Sequence, residues 1–197
     1  MCTLVTKPAP DFTAQAVLGD GTIEEFTLSS LRGKYTILFF YPLDFTFVCP
    51  SEILAFNDKL ADFKAKGAEV IGVSVDSQFT HFAWRETPVA KGGIGKIGFP
   101  LVADLDKSIS KDYGILLDAG IALRGLFLID KAGVVRSSVI NDLPLGRSVD
   151  EALRVLDALI FVETYGEVCP ANWQEGDGGM KATAEGVAEW LAKKYEK

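Results

Sequence analysis

The run KYTILFFYP, residues 34–42, constrains this chain more than any other stretch. It is continuously apolar, rich in β-branched and aromatic residues, and stopped by a proline, which is the signature of a strand buried on both faces. After it, Ile53, Phe56, Leu60 and Phe63 recur at spacings of three and four, the mark of one helical face, and Gly67 is placed to end that helix. AEVIGVSVD, residues 68–76, reads as a second buried strand and is followed by a helical stretch around SQFTHFAWRETP. Two parallel strands need a crossover, and a strand, a helix and a strand in this order close as a right-handed βαβ unit.

Further along, LRGLFLID and VVRSSVIND flank DKAG, where Gly133 suits the left-handed position of a short hairpin. Parallel strands are therefore expected first and an antiparallel pair after them. SVDEALRVLDALIFVETYG opens on a capping-box pattern, Ser148 with Glu151, and lines up Leu153, Leu156, Leu159 and Ile160, so it is the last core helix expected. EVCPANWQEGDGGMK is too rich in Gly and turn-formers to bury much apolar area, whereas ATAEGVAEWLAKKYEK has the propensity for a terminal helix. The expected organisation is one domain over residues 1–165 and a C-terminal arm over 166–197.

Charge excludes some functions. A formal net charge of −7, with no cluster of Lys and Arg, does not suit a surface that neutralises phosphates, so nucleic acid is not an expected partner. MCTLVTKPAPDF lacks the apolar centre of a signal peptide, and no run reaches the roughly 20 apolar residues of a membrane span. A soluble, cytoplasmic protein without a membrane partner is expected. Cys2, Cys49 and Cys169 are odd in number and widely scattered, with no C-x-x-C pair, so neither a disulfide framework nor a dithiol motif is indicated.

Cys49 carries the chemical signal. Pro50 suits the first turn of a helix, where its missing N–H costs nothing, and this puts Cys49 at or beside the N-cap. There the positive end of the helix dipole favours a thiolate. By position alone, a small buried hydrophobe at a strand-to-helix junction explains Cys49 equally well. Pro42, Thr46 and Cys49 in the pattern P-x-x-x-T-x-x-C shift the balance towards chemistry, although Thr46 by itself is also an ordinary turn residue.

At this point the chain resembles the typical 2-Cys peroxiredoxins of the bacterial alkyl hydroperoxide reductase C type, over essentially its whole length. YPLDFTFVCPSE is similar to the peroxidatic-cysteine motif and KGGIG to a Gly-Gly-Leu-Gly element. ALRG is similar to the strand carrying an active-site arginine, and GEVCPANW to the resolving-cysteine motif. The resemblance implies an α/β, thioredoxin-like fold, a central mixed β-sheet flanked by helices with a C-terminal arm. It implies a peroxidase acting on hydrogen peroxide and organic hydroperoxides with no metal or organic cofactor. Cys49 would become a sulfenic acid, Arg124 and Thr46 would hold the peroxide oxygens, and Pro42 would shape and dry the pocket. Glu52, a carboxylate close to a thiolate it repels, needs a cation, and the resemblance supplies Arg147 for it.

The resemblance also implies that Cys169, from the second subunit of an antiparallel homodimer, resolves the sulfenic acid as an intersubunit disulfide. Dimers of this kind commonly assemble into a decamer, and a thioredoxin or a flavoprotein disulfide reductase would close the cycle. Forming the bond requires the two α-carbons to come within about 7 Å, so the first turn of the Cys49 helix must open. VVRSSVIND is the edge expected to pair with a second copy. Gly92, Gly93, Ile94 and Gly95 match the element that slows this opening, but Tyr195 is followed by Glu196 where the most sensitive relatives have Tyr-Phe, so intermediate sensitivity to overoxidation at most is expected. Cys2 has no part in this chemistry.

Three other readings remain at this stage. A cysteine hydrolase would need His81 beside Cys49, yet His81 lies among Phe79, Phe82 and Trp84, where a packed or surface histidine is expected. A zinc site from three Cys and one His has the wrong spacing. A ring-forming holdase, or a redox sensor or relay, would be a second function of the same chain.

Overall fold

The computed structural model describes residues 3–196; Cys2 lies outside them. The chain divides into two compact units, Met1–Val149 and Asp150–Lys197.

The first unit is built on a seven-stranded mixed sheet. Its strands are β1 (Thr13–Val17), β2 (Ile23–Thr27), β3 (Tyr35–Phe40), β4 (Ala68–Ser74), β5 (Leu101–Ala103), β6 (Arg124–Ile129) and β7 (Val135–Asn141), in the spatial order β2-β1-β5-β4-β3-β6-β7. The helices are α1 (Cys49–Asp58), α2 (Leu60–Ala65), α3 (Gln78–Glu86) and α4 (Ser108–Asp112). As expected, β3 and β4 are parallel and joined by α1 and α2, while β6 and β7 form the antiparallel hairpin, with Gly133 at φ 80°.

β3 is buried at every position, and alternation divides its side chains between two layers. Leu38 and Phe40 join Ile71, Val73 and Phe127 in one core, where the Phe127 ring meets Tyr113 at 4.9 Å. Phe39 packs in the other layer and stacks on Phe56 of α1 at 4.4 Å. This contact seats α1 on the sheet. The predicted helical face is continuous, with Ile53, Phe56, Leu60 and Phe63 all buried, although the helix itself is interrupted at Lys59. Gly67 ends α2 at φ 71°.

One expectation is corrected. Parallel strands do not come first, because β1 and β2 form an antiparallel hairpin ahead of them, and β1 also pairs antiparallel with β5. The sequence signal was the Asp20-Gly21 turn: Gly21 sits at φ 94°, and an Asp20 carboxylate oxygen accepts from the Thr22 amide at 2.9 Å. The strands it joins are largely exposed, so they lack the apolar run that marks β3.

The second unit contains α5 (Val149–Tyr165) from Asp150 onward and α6 (Ala184–Tyr195), with a bridge between Val168 and Met180. Within this unit the Phe161 ring of α5 lies 5.0 Å from Trp173, and Arg154 donates to the Trp173 carbonyl at 2.8 Å. Trp173 is buried, so the Gly-rich segment contributes more apolar packing than its composition suggested. No helix among the described residues is long and apolar enough to cross a membrane.

Candidate active site

β3 and β6 run antiparallel with Phe39 opposite Leu126. The start of β6, at Arg124, therefore lies alongside the end of β3, where the chain enters the loop leading to Cys49. α1 begins at Cys49 with Val48 as its N-cap and Pro50 in its first turn. This is the junction expected from the sequence. Cys49 is fully buried, and two side chains donate to its sulfur: the Thr46 hydroxyl at 3.0 Å and Arg124 Nη1 at 3.4 Å.

Thr46 has one proton and two acceptors, Cys49 Sγ and the Leu43 carbonyl at 2.8 Å. While the sulfur is a thiol, the hydroxyl can donate to Leu43 and accept from S–H. Once the sulfur is a thiolate, the hydroxyl turns to it. Arg124 is fixed by Nε donating to the Leu143 carbonyl at 2.7 Å, and its Nη1 also donates to Glu52 Oε2 at 2.7 Å. A lysine ammonium on a flexible stem could not hold this fork.

Glu52 is buried, and Arg147 binds it through Nε at 2.8 Å, Nη2 at 3.0 Å and the backbone amide at 2.8 Å. Burial pushes the Glu52 carboxyl upward, but the Arg147 hydrogen bonds and the two guanidinium charges outweigh it and hold the carboxyl below its ordinary range. Burial moves Arg147 the other way, below the usual arginine value, against the pull of Glu52. Arg147 is therefore no solvated loop residue: its side chain is 2% exposed and lies over the Phe39 ring at 5.4 Å. Two guanidiniums less one carboxylate leave a formal +1 beside the sulfur, which a thiolate neutralises. Pro42 is buried at the start of the same loop.

The sequence reading did not find the polar cluster behind this loop. His81 is fully buried, with Nδ1 2.7 Å from Asp44 Oδ2 and Nε2 3.2 Å from the Val102 carbonyl. Both ring nitrogens are thus engaged away from Cys49, which removes the base that a cysteine hydrolase requires. The Tyr41 hydroxyl donates to Asp44 Oδ1 at 2.8 Å, and burial raises the Asp44 carboxyl despite its bonds to His81 and Tyr41. Asp44, an acid inside the apolar loop YPLDFTF, was the one signal available.

Cys169 belongs to the second unit. Its thiol donates to the Ala158 carbonyl of α5 at 3.6 Å, and burial pushes it above the ordinary cysteine value, with Arg154 opposing.

Comparison with known proteins shows the family of the chain. Residues 5–138 fit the model of the AhpC/TSA family, and residues 158–193 fit the C-terminal domain of 1-Cys peroxiredoxin. Alkyl hydroperoxide reductase C of Helicobacter pylori is 62% identical over 190 residues, covering 95% of this chain and 96% of that protein. Peroxiredoxin-2 of Rattus norvegicus is 56% identical, with 96% of each chain covered. The crystal structure of reduced Plasmodium vivax 2-Cys peroxiredoxin superposes with a TM-score of 0.95 at 53% identity, covering 97% of this chain and 100% of that one. The fold is the thioredoxin-like fold of the peroxiredoxins, and the chain is an oxidoreductase of the thiol peroxidase class. It belongs to the AhpC/TSA family.

Proposed function

We propose that this thiol peroxidase reduces hydrogen peroxide and organic hydroperoxides with Cys49 as the peroxidatic residue and Cys169 as the resolving residue. The observation that carries the reading is the fork of Arg124, whose Nη1 reaches both the Cys49 sulfur and Glu52, with Thr46 on the same sulfur. The Cys49 thiolate attacks the terminal oxygen of the peroxide. The S–O bond forms as the O–O bond breaks, sulfur is oxidised to the sulfenic acid, and the departing oxygen takes a proton to leave as water or an alcohol. Negative charge spreads from sulfur over both oxygens in the transition state, so fixed donors aimed there lower the barrier. Arg124 and Thr46 are those donors. Glu52 and Arg147 hold Arg124 in place, and Pro42 excludes water from the pocket.

The Cys169 thiol then displaces hydroxide from the sulfenic sulfur, giving a disulfide and water. Because Cys49 is fully buried, its sulfur must leave the pocket first, so opening of the first turn of α1 belongs to the cycle. A thioredoxin or a flavoprotein disulfide reductase supplies the electrons that restore the dithiol. Self-association is supported by two surfaces. β7 is an edge strand that exposes Val139 and Ile140, and α3 exposes Phe79 and Phe82, while its Trp84 carries the half-exposed Phe45 ring at 5.7 Å. One surface makes a homodimer, and two together allow a decamer. The cytoplasm, where thiols are kept reduced, is the compartment this cycle suits.

Peroxide consumption with a small dithiol as reductant tests the assignment. Cys49→Ser is expected to lose all activity, while Cys169→Ser keeps the first turnover. Full activity of Cys49→Ser would refute the reading.

A further inference from the structure

Three groups from different elements converge on one loop residue, Asp44. Asp76, just past β4, accepts from the Asp44 amide at 2.8 Å. Tyr41, just past β3, donates to one Asp44 carboxylate oxygen, and His81 of α3 bonds the other. Asp76 is itself fixed by Ser74, whose hydroxyl donates to it at 2.9 Å and accepts from its amide at 3.2 Å.

The next residue explains why such a clamp is needed. Phe45 has φ 54°, a left-handed conformation that a β-carbon disfavours. Burial holds it only in part: Phe45 is 50% exposed, with its ring 5.7 Å from that of Trp84, and Phe47 is 96% exposed. One residue beyond Phe45, Thr46 reaches the sulfur. The polar clamp on Asp44 thus sits one residue before this left-handed position and two before Thr46.

We propose that Asp76, together with His81, is a positioning residue for the peroxide reaction: by fixing Asp44 it holds the loop closed around Cys49 and sets the balance between this closed loop and the open one in which the disulfide forms. This rests on the reading of Cys49 as the peroxidatic cysteine. The clamp touches neither sulfur nor peroxide, so its loss should divide the two chemical steps and not slow both.

Stopped-flow tryptophan fluorescence on the full chain separates peroxide-dependent oxidation of Cys49 from the peroxide-independent disulfide step. Asp76→Ala is expected to slow the first step by at least about tenfold, since small misplacements of reacting groups are costly. Disulfide formation should be as fast or faster, and less sulfinic acid should accumulate at high peroxide. Asp76→Asn keeps an acceptor for the Asp44 amide and should bring both steps back to within about threefold of the parent. Ser74→Ala loosens Asp76 without removing it and should act in the same direction as Asp76→Ala, but less strongly. If Asp76→Ala does not fold, Ser74→Ala decides by the same criterion. An unchanged first step, or both steps slowing together in step with a fall in Tm, overturns the proposal. Residual peroxidase in Cys49→Ser would strike the assignment of Cys49, whereas an inactive Cys49→Ser beside a normal Asp76→Ala strikes the clamp alone.

Discussion

Replacing Glu52 with glutamine would leave Arg124 and Arg147, each no more than 3% exposed, without a counter-charge. Breaking a buried ion pair from one side typically costs about 3–5 kcal/mol, so Glu52→Gln should lower the urea midpoint by that equivalent at neutral pH. The sign with pH follows from the depressed Glu52 carboxyl. Its stabilisation is complete above the unfolded glutamate value of about 4.3 and disappears as pH falls through the lower folded value. The raised Asp44 carboxyl acts oppositely, favouring the fold as pH falls through its own folded value. The difference between parent and Glu52→Gln isolates the Glu52 contribution, and it should shrink towards zero in acid. A constant difference down to the acid limit would contradict the assignment. At this scale the sequence was uneven. Cys49, Thr46 and Pro42 are close enough in the chain for their pattern to be read directly, but Arg124 and Arg147 required the family resemblance. Asp44 and His81 lie 37 residues apart and carry no local pattern that predicts their contact.

Elements with one unbroken apolar run were legible, and those without one were not. β3 and β4 are buried throughout or nearly so, and their strand period need not be visible to recognise them. β5 has three residues, too few for any period, and β2, IEEFT, is mostly exposed. The arm was recognised as an element, but its link to α5 through Trp173, Phe161 and Arg154 was not, since packing between a turn and a helix leaves no periodic trace. The Cys169 thiol on this arm makes a kinetic prediction. In the proposed cycle only its thiolate attacks the sulfenic acid, and burial holds the thiol above the ordinary value of about 8.5. Disulfide formation should therefore accelerate close to tenfold per pH unit from neutrality to beyond that value, provided opening of α1 is faster. A pH-independent step would show that opening, and not deprotonation, limits the rate. In the KGGIG element, a β-carbon on Gly93 would meet the Thr87 carbonyl at 1.9 Å, so Gly93→Ala should displace this loop. Overoxidation to sulfinic acid should then fall below that of the parent, read by mass spectrometry after excess peroxide.

For the whole molecule, the two units impose a division of labour. The first contains every group proposed to touch peroxide, and the second contains Cys169, the thiol proposed to resolve the sulfenic acid. The overall class could be read from the sequence because four short motifs occur in the right order, and the full-length similarity to peroxiredoxins agrees. How copies assemble could not be read, since a single strand edge or a pair of exposed aromatics does not specify its partner. The most direct test of the central claim, that Cys49 and Cys169 form one catalytic cycle between two copies, is non-reducing electrophoresis after one equivalent of peroxide, with mass spectrometry of the linked peptides. A disulfide-linked dimer joined by Cys49–Cys169 peptides and absent from Cys169→Ser is the expected result. A chain that consumes the peroxide yet remains a monomer on the gel would contradict it.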